Sequence, residues 1–338
     1  MRVLVTGGAG FIGSNLVDVL VAAGHVPGVI DDLSTGRMRN LRHPVWFRQL
    51  DILDPDLVSA VREFAPDAVV HLAAQASVQA SLRDPARDWA VNAEGTRAVA
   101  RSARGAGASR VLFASSAAVY GNPDNVPLAE TARLAPASPY GASKLAAEGL
   151  LAEELAGRGV DFSSLRFSNV YGPRQDARGE GGVISIFLDT IAAGGRPAIF
   201  GDGTQTRDFV FVADVAGAIR AALETEVSLA EGRFSGAGSK ALAATGPDAA
   251  AYNISTGVET SLEALADSVR RGTGFGGEFE RLPAREGDID RSALDPAKAR
   301  DVFGWSAVVP LDRGLATTWK WFASSGSDIP GGPDSGAR

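Results

Sequence analysis

Tyr140-Gly-Ala-Ser-Lys144 sets a phenol and an ammonium four residues apart, a spacing that stacks both on one face of a helix. A free tyrosine titrates near 10, so acting as a base at neutrality requires lowering its pKa by roughly 3 units, about 4 kcal/mol. A neighbouring ammonium supplies part of that. Spacing alone favours a solvated tyrosine–lysine pair on an exposed helix. Lysine is scarce here, however: Lys144, Lys240, Lys298 and Lys320 are the only four among 33 basic residues. A compact charge that hydrogen-bonds both a ribose hydroxyl and a phenolate is a task the planar guanidinium does poorly. The chemistry on offer is proton removal from a weakly acidic hydroxyl.

A second stretch offers a place for a nucleotide. Val3-Leu-Val-Thr-Gly7-Gly-Ala-Gly10-Phe-Ile-Gly13 runs from a β-branched strand into a glycine turn, and Phe11–Ala22 has helical apolar periodicity. Gly7, Gly10 and Gly13 let backbone N–H groups approach a pyrophosphate, with the helix N-terminus adding partial positive charge. An ordinary strand-to-helix turn would show the same glycines, and the next strand weighs against it. Val26–Ile30 ends in Asp31-Asp32, 18 residues past Gly13, where a ribose hydroxyl needs an acceptor. A carboxylate there repels a 2′-phosphate, which favours NAD over NADP, although Arg37 lies close enough in sequence to weaken the preference.

Composition narrows the partners. The chain has 338 residues, 45% hydrophobic and 22% charged, enough for a sizeable core and a second smaller domain. Its net charge of −7 and lack of a basic block argue against nucleic acid. The absence of cysteine removes disulfides, thiolate metal sites and cysteine nucleophiles, and His25, His43 and His71 lack metal-ligand spacing. No metal is expected. Glycines and Asp18 interrupt the N-terminal apolar stretch, and no later run reaches the ~18 uncharged apolar residues of a membrane span. A cytoplasmic chain with no membrane partner is the expectation.

Positioning these groups requires alternating strands and helices. Strands are predicted at Val3–Thr6, Val26–Ile30, Ala68–Leu72, Arg110–Ala114 and Ser163–Phe167, with helices at Phe11–Ala22, Leu53–Phe64, Asp88–Arg104 and Tyr140–Arg158. Near-continuous apolar strands in this alternation predict an α/β fold with a Rossmann-type doubly wound parallel sheet. Thr6-Gly7, Asp31, Ala73-Ala74, Ser115-Ser116 and Ser168-Asn169 then share its ligand-binding rim. From Tyr171 glycines and prolines punctuate a smaller, discontinuous C-terminal α/β unit. A strand at Asp208–Val212, helices at Val215–Glu224 and Leu262–Val269, and a buried strand at Tyr252–Ser255 are expected within the second half. Trp319 and Trp321 are expected to pack the last helix onto the core.

Taken together, Thr6-Gly-Gly-Ala-Gly-Phe-Ile-Gly13, His71-Leu-Ala-Ala74, Ser115-Ser-Ala-Ala-Val-Tyr-Gly121, Tyr140-Gly-Ala-Ser-Lys144, Arg166-Phe-Ser-Asn-Val-Tyr-Gly-Pro173 and Arg207-Asp-Phe209 resemble an extended short-chain dehydrogenase/reductase. The nucleotide-sugar 4-epimerases are the most similar group. The resemblance runs from Met1 to about Phe322. It implies NAD as cofactor and Ser116, Tyr140 and Lys144 as the catalytic set, with Tyr140 the base and Lys144 on the nicotinamide ribose. Cofactor contacts are implied for Gly7, Gly10, Phe11, Ile12, Gly13, Asp31, Asp32, Asp51, Ile52, Leu72, Ala73, Ala74, Asn92, Tyr140 and Lys144. For a UDP-sugar they are implied for Ser77, Ser116, Asn169, Val183, Arg207, Arg285, Asp288 and Ser292. Surface ion pairing remains open for Arg207 and Arg285, and core packing for Val183.

The implied domains are residues 1–170 for NAD, rejoined near 213–226 and 251–257, and residues 171–323 for the nucleotide sugar, with a surface insertion at 228–251 and a flexible tail at 324–338. The resemblance also implies a homodimer through the helices at 88–104 and 140–158. Relatives that eliminate water or carbon dioxide carry acidic residues just after the active-site hydroxyl, whereas this chain has Ala117 and Ala118. Those that epimerise beside the transient ketone use a cysteine, which is absent. Transient oxidation at C4, rotation of the keto-sugar and hydride return remain, with a dehydratase or reductase and a non-catalytic NAD sensor as alternatives. A small Ser292 could admit a 2-acetamido group, and a hexuronate would need donors such as Ser168, Arg174 or Arg178, so the hexose stays open.

Overall fold

The computed structural model describes residues 1–177, 181–230, 247–284 and 289–325. Its strands are β1 (Arg2–Thr6), β2 (Val26–Asp31), β3 (Trp46–Gln49), β4 (Ala68–His71), β5 (Arg110–Ser116), β6 (Asp161–Phe167), β7 (Asn169–Tyr171), β8 (Ala198–Phe200), β9 (Thr206–Arg207), β10 (Phe209–Phe211), β11 (Ala251–Ile254), β12 (Thr260–Ser261) and β13 (Glu280–Leu282). The helices are α1 (Phe11–Ala22), α2 (Leu57–Phe64), α3 (Val78–Arg83), α4 (Pro85–Trp89), α5 (Gly95–Gly105), α6 (Pro139–Leu155), α7 (Val183–Ala192), α8 (Val212–Glu224), α9 (Leu262–Thr273), α10 (Ala297–Phe303) and α11 (Leu311–Ser325).

Seven strands form the main sheet in the order β11-β6-β5-β4-β1-β2-β3, and every neighbouring pair is parallel. An all-parallel sheet needs cover on both faces, and its inner strands read accordingly: Val3, Leu4 and Val5 are fully buried. One face packs Leu16 and Leu20 of α1 with Val215 and Ile219 of α8, and the other packs Val61 of α2, Val99 of α5 and Leu151 of α6. The chain crosses from β3 back to β4, so strand order reverses at β1, between β4 and β2. That reversal opens a crevice at the carboxyl ends, where open α/β sheets bind ligands. The short pairs β7–β10, β9–β12 and β8–β13 form separate small sheets, and residues of β7, β8, β10, α7, α9 and α11 share one apolar cluster.

Several expectations need correction. The edge strand β3 was absent from the sequence reading because Trp46 to Gln49 are only half buried or exposed. Residues 53–56 are not helical: Asp51 and Asp54 accept from Leu53 N and Asp56 N in tight turns, so α2 starts at Leu57. The expected helix at 88–104 is α4, a π-turn at Ala90–Glu94 and then α5. The ends of the 228–251 segment are core rather than surface, with Leu229 and Ala251 fully buried and Tyr252 Oη donating to Leu229 O. Residues 231–246 lie outside the described residues. In the tail, 324 and 325 extend α11 and 326–338 lie outside the description. Trp319 and Trp321 do pack against the cluster formed by Phe187, Leu265 and Leu315.

Arg110 closes the amino end of β5 onto α8. Its guanidinium pairs with Asp161 at 3.0 Å and donates to the carbonyls of Ala222, Leu223, Thr225 and Val227. These carbonyls include helix-end acceptors with no intrahelical donor. Arg110→Met should therefore lower unfolding free energy by about 2–4 kcal/mol in urea titration, with turnover per folded molecule unchanged. A loss under about 0.5 kcal/mol, the range of an ordinary surface change, would contradict this role.

Candidate active site

Backbone contact builds the cofactor corner. Gly7 takes φ +70°, and a Cβ there would stand 2.7 Å from Ala73 N, because the turn after β1 lies directly on the strip after β4. A Cβ on Gly13 would meet Gly7 O at 2.2 Å, so α1 starts tight against the turn. Gly10 N donates to Gly7 O at 3.1 Å and forms the N-cap of α1, whose first turn holds Phe11 and Ile12. The resulting cradle at a helix N-terminus, free of side chains, fits a dinucleotide pyrophosphate. Asp31 ends β2 buried, accepting from Ala9 N at 2.9 Å and Leu33 N at 2.8 Å. Burial pushes its carboxyl above the usual range and these N–H donors pull it back. Arg37 donates to Asp176 at 2.8 Å, a carboxylate that competes with any 2′-phosphate for it.

Other sequence candidates fall into different settings. Asp32 is exposed and accepts from Ser34; Asp51 pairs with Arg87 at 3.3 Å; Ile52 is core. Leu72, Ala73 and Ala74 form the half-buried strip facing the glycine turn. Asn92 is buried within the π-turn, with its carbonyl on Gln75 N and its amide on Gln75 O, Asp88 and Ser143. These bonds fix Gln75 in the strip after β4. Ser77 caps α3 through Ala80 N.

Below the corner, His71 is held neutral. Thr6 Oγ1 lies 2.7 Å from its Nδ1 and Thr96 Oγ1 lies 3.1 Å from its Nε2. Thr96 donates its own proton to Asn92 O, so Nε2 carries the ring proton and Nδ1 accepts from Thr6. Full burial, and then the charge of Lys144, push the imidazole down to about 3.

The catalytic candidates converge on the carboxyl end of β5. Ser116 is its last residue, half buried, its Oγ accepting from Ala118 N. Pro139 and the Ser138 cap open α6, which puts Tyr140 in the first turn and Lys144 one turn on. Lys144 is buried, and its Nζ donates to Ala114 O at 2.9 Å, lies 4.9 Å from the Phe113 ring centroid and 5.9 Å from that of Tyr140. A Cβ on Gly141 would sit 2.5 Å from Ala118 O, which shows how closely the tyrosine's turn rests on the turn after Ser116.

The substrate candidates are less gathered. Asn169 opens β7, its N–H bonded to Asp208 O in register with β10. Arg207 lies on β9 with Nη1 on Thr206 O. Ser292 bonds Thr206 O through its backbone, and Val183 opens α7, half buried against the apolar cluster that includes Phe187 and Leu188. Arg285 and Asp288 lie outside the described residues. Sequence reading missed Asp208, fully buried and accepting from Thr256 N, Gly257 N and Thr256 Oγ1, although it stands inside the Arg-Asp-Phe motif. It also missed Ser143, which bonds Asp88 from within the tyrosine–lysine stretch, and Ser81, whose hydroxyl receives Tyr140 N.

A doubly wound sheet with a glycine cradle at its crossover and a tyrosine–lysine helix beside it defines a dinucleotide-dependent enzyme of the short-chain dehydrogenase/reductase type. Residues 3–235 match the model of the NAD dependent epimerase/dehydratase family, and the chain belongs to that family. It is 43% identical over 328 residues to UDP-glucose 4-epimerase of Mycolicibacterium smegmatis, covering 95% of this chain and 98% of that one. Among solved structures it resembles UDP-glucose 4-epimerase of Thermotoga maritima with UDP-glucose, at TM-score 0.86 and 36% identity over 96% of this chain and 99% of that one. The Thermus thermophilus UDP-glucose 4-epimerase in complex with NAD gives TM-score 0.84 and 37% identity over 95% and 99%.

Gly13→Ala forces its Cβ into Gly7 O, so the variant should lose at least tenfold in NAD affinity by fluorescence titration; unchanged affinity would refute the close-packed corner. His71 makes a pH prediction. In the unfolded chain it takes a proton near pH 6.5, but in the fold only near 3, so stability falls as pH drops through that window. Between pH 7 and 5 the loss from this residue is about 2 kcal/mol. Urea titrations should show a His71→Gln variant losing about that much less over the same interval.

Proposed function

We propose that this chain is an NAD-dependent UDP-sugar 4-epimerase interconverting UDP-glucose and UDP-galactose. The observation carrying the proposal is the placement of Tyr140 and Lys144 on one face of α6, with Lys144 bound to Ala114 O two residues before Ser116, at the rim holding the glycine cradle. In this reading Gly7, Gly10, Gly13 and Asp31 hold the dinucleotide, and Asn169, Arg207 and Ser292, with Arg285 and Asp288, hold the UDP-sugar. NAD, held there, would supply reversible hydride acceptance. Tyr140 Oη takes the proton of the C4 hydroxyl as hydride leaves the same carbon, and gives it back after the 4-keto sugar has turned its other face. Lys144 stabilises the phenolate, and Ser116 Oγ bonds the C4 oxygen so that it stays in line with both.

The surroundings weigh against a hexuronate. Arg174 is buried in an ion pair with Asp18 of α1 and Ser168 points to Asp208, so two of the three donors considered for a C6 carboxylate are engaged elsewhere, while Arg178 lies outside the described residues. Ala117 and Ala118 follow Ser116, leaving no acid there for water elimination or decarboxylation. Among the described residues no group of three or more His, Asp or Glu could hold a metal ion, and no helix is long and apolar enough to cross a membrane. We assign the enzyme to the cytoplasm as a homodimer joined through α5 and α6, which pack side by side, with Trp89 exposed nearby.

Incubation with UDP-glucose, UDP-N-acetylglucosamine and UDP-glucuronate should give a 4-epimer of equal mass, fastest from UDP-glucose. Products lighter by water or carbon dioxide would overturn the reaction class. Tyr140→Phe should lower kcat by about 10²–10⁴-fold while NAD remains bound, and an unaffected rate would end the role of Tyr140 as base.

A further inference from the structure

Glu148 continues the face of α6 that carries Tyr140 and Lys144, one turn beyond the lysine, and the proposed reaction leaves it unused. It is buried, and its carboxylate is fully committed. Arg166, with no exposed surface, donates Nε to Oε1 at 2.9 Å and Nη2 to Oε2 at 2.7 Å, a bidentate pair. Ser115 Oγ donates to the same Oε1 at 2.5 Å. Arg166 also reaches Tyr120 Oη, Glu130 O and Asp248, so none of its nitrogens is left unmatched. The last residues of β5 are thus stitched to α6 twice, by Ala114 O to Lys144 and by Ser115 to Glu148, immediately before Ser116.

We propose that Ser115, Glu148 and Arg166 form a positioning clamp that sets Ser116 against Tyr140 and Lys144. Two bonds at successive residues fix both the height and the twist of the strand end relative to the helix, which one bond would leave free to rotate. Arg166 has a second task. A bare carboxylate one turn from Lys144 would draw on the charge that Tyr140 needs, and the bidentate guanidinium balances it. The clamp therefore holds geometry without spending the lysine. This inference rests on Ser116 bonding the C4 oxygen.

The test uses the full-length enzyme with bound NAD and three variants: Ser115→Ala, Ser116→Ala and the double change. Ser115→Ala leaves the Glu148–Arg166 pair intact, so folding is retained and only the second stitch is lost. Its kcat should fall about tenfold, with KM for UDP-galactose within twofold of the parent and NAD content unchanged. Added to Ser116→Ala, it should cost nothing further, because its effect passes through Ser116. An unchanged kcat in Ser115→Ala beside a slow Ser116→Ala overturns the clamp alone, as does a loss that multiplies with that of Ser116→Ala. A Ser116→Ala enzyme with the parent rate overturns the assignment of Ser116 and the clamp with it.

Discussion

A buried ammonium is the constraint on which this site depends. Lys144 has almost no exposed surface, and a charge taken from water costs several kcal/mol unless hydrogen bonds and partners replace what hydration supplied. Here the replacement includes the Ala114 carbonyl at the end of β5 and the face of Phe113. Those partners sit on one strand, so satisfying the lysine also fixes α6 against the rim. The neighbouring His71 feels the consequence: a cation so near, in a dry interior, reinforces the neutral imidazole that bonds Thr6 and Thr96. Charge placement and backbone placement are here the same event.

The cofactor corner follows a complementary rule, because it is built by removing atoms. A methyl group at Gly7 or Gly13 would overlap backbone, so the turn after β1, the strip after β4 and the start of α1 meet at distances only glycine permits. Asp31 then ties the second strand to the turn through Ala9 N. The turn is thus kept clear of side chains, with a carboxylate beside it already held in place.

How far the sequence revealed this depended on whether a feature was local. Glycine spacing, the strand alternation and the i, i+4 phenol and ammonium are local patterns, and the parallel sheet and the rim were legible from them. The edge strand Trp46–Gln49 was not, since a half-exposed edge has no apolar run to mark it. The π-turn at Ala90–Glu94 was invisible for another reason. It is specified by Asn92 meeting Gln75, Asp88 and Ser143, partners 17, 4 and 51 residues away. Burial of Leu229 and Ala251 depends likewise on contacts that the low-complexity segment between them conceals.

The join between the main sheet and the short strand pairs follows from the same economy. Asp208 lies between Arg207 and Phe209, yet it faces inward with no exposed surface. Burial pushes its carboxyl up, and Thr256 Oγ1, Thr256 N, Gly257 N and Leu294 N pull it back. Those donors belong to the loop after β11, at one edge of the main sheet, and to the segment after Ser292. Two-stranded pairs such as β7–β10 and β9–β12 are too short to hold a register by themselves. A carboxylate bonded to three backbone N–H groups is a stronger determinant: a shift of one residue would strand all of them in a dry site. The position of Arg207 relative to the rim of the main sheet is therefore set by a buried polar anchor, with apolar packing of Phe209 and Phe211 filling the space around it.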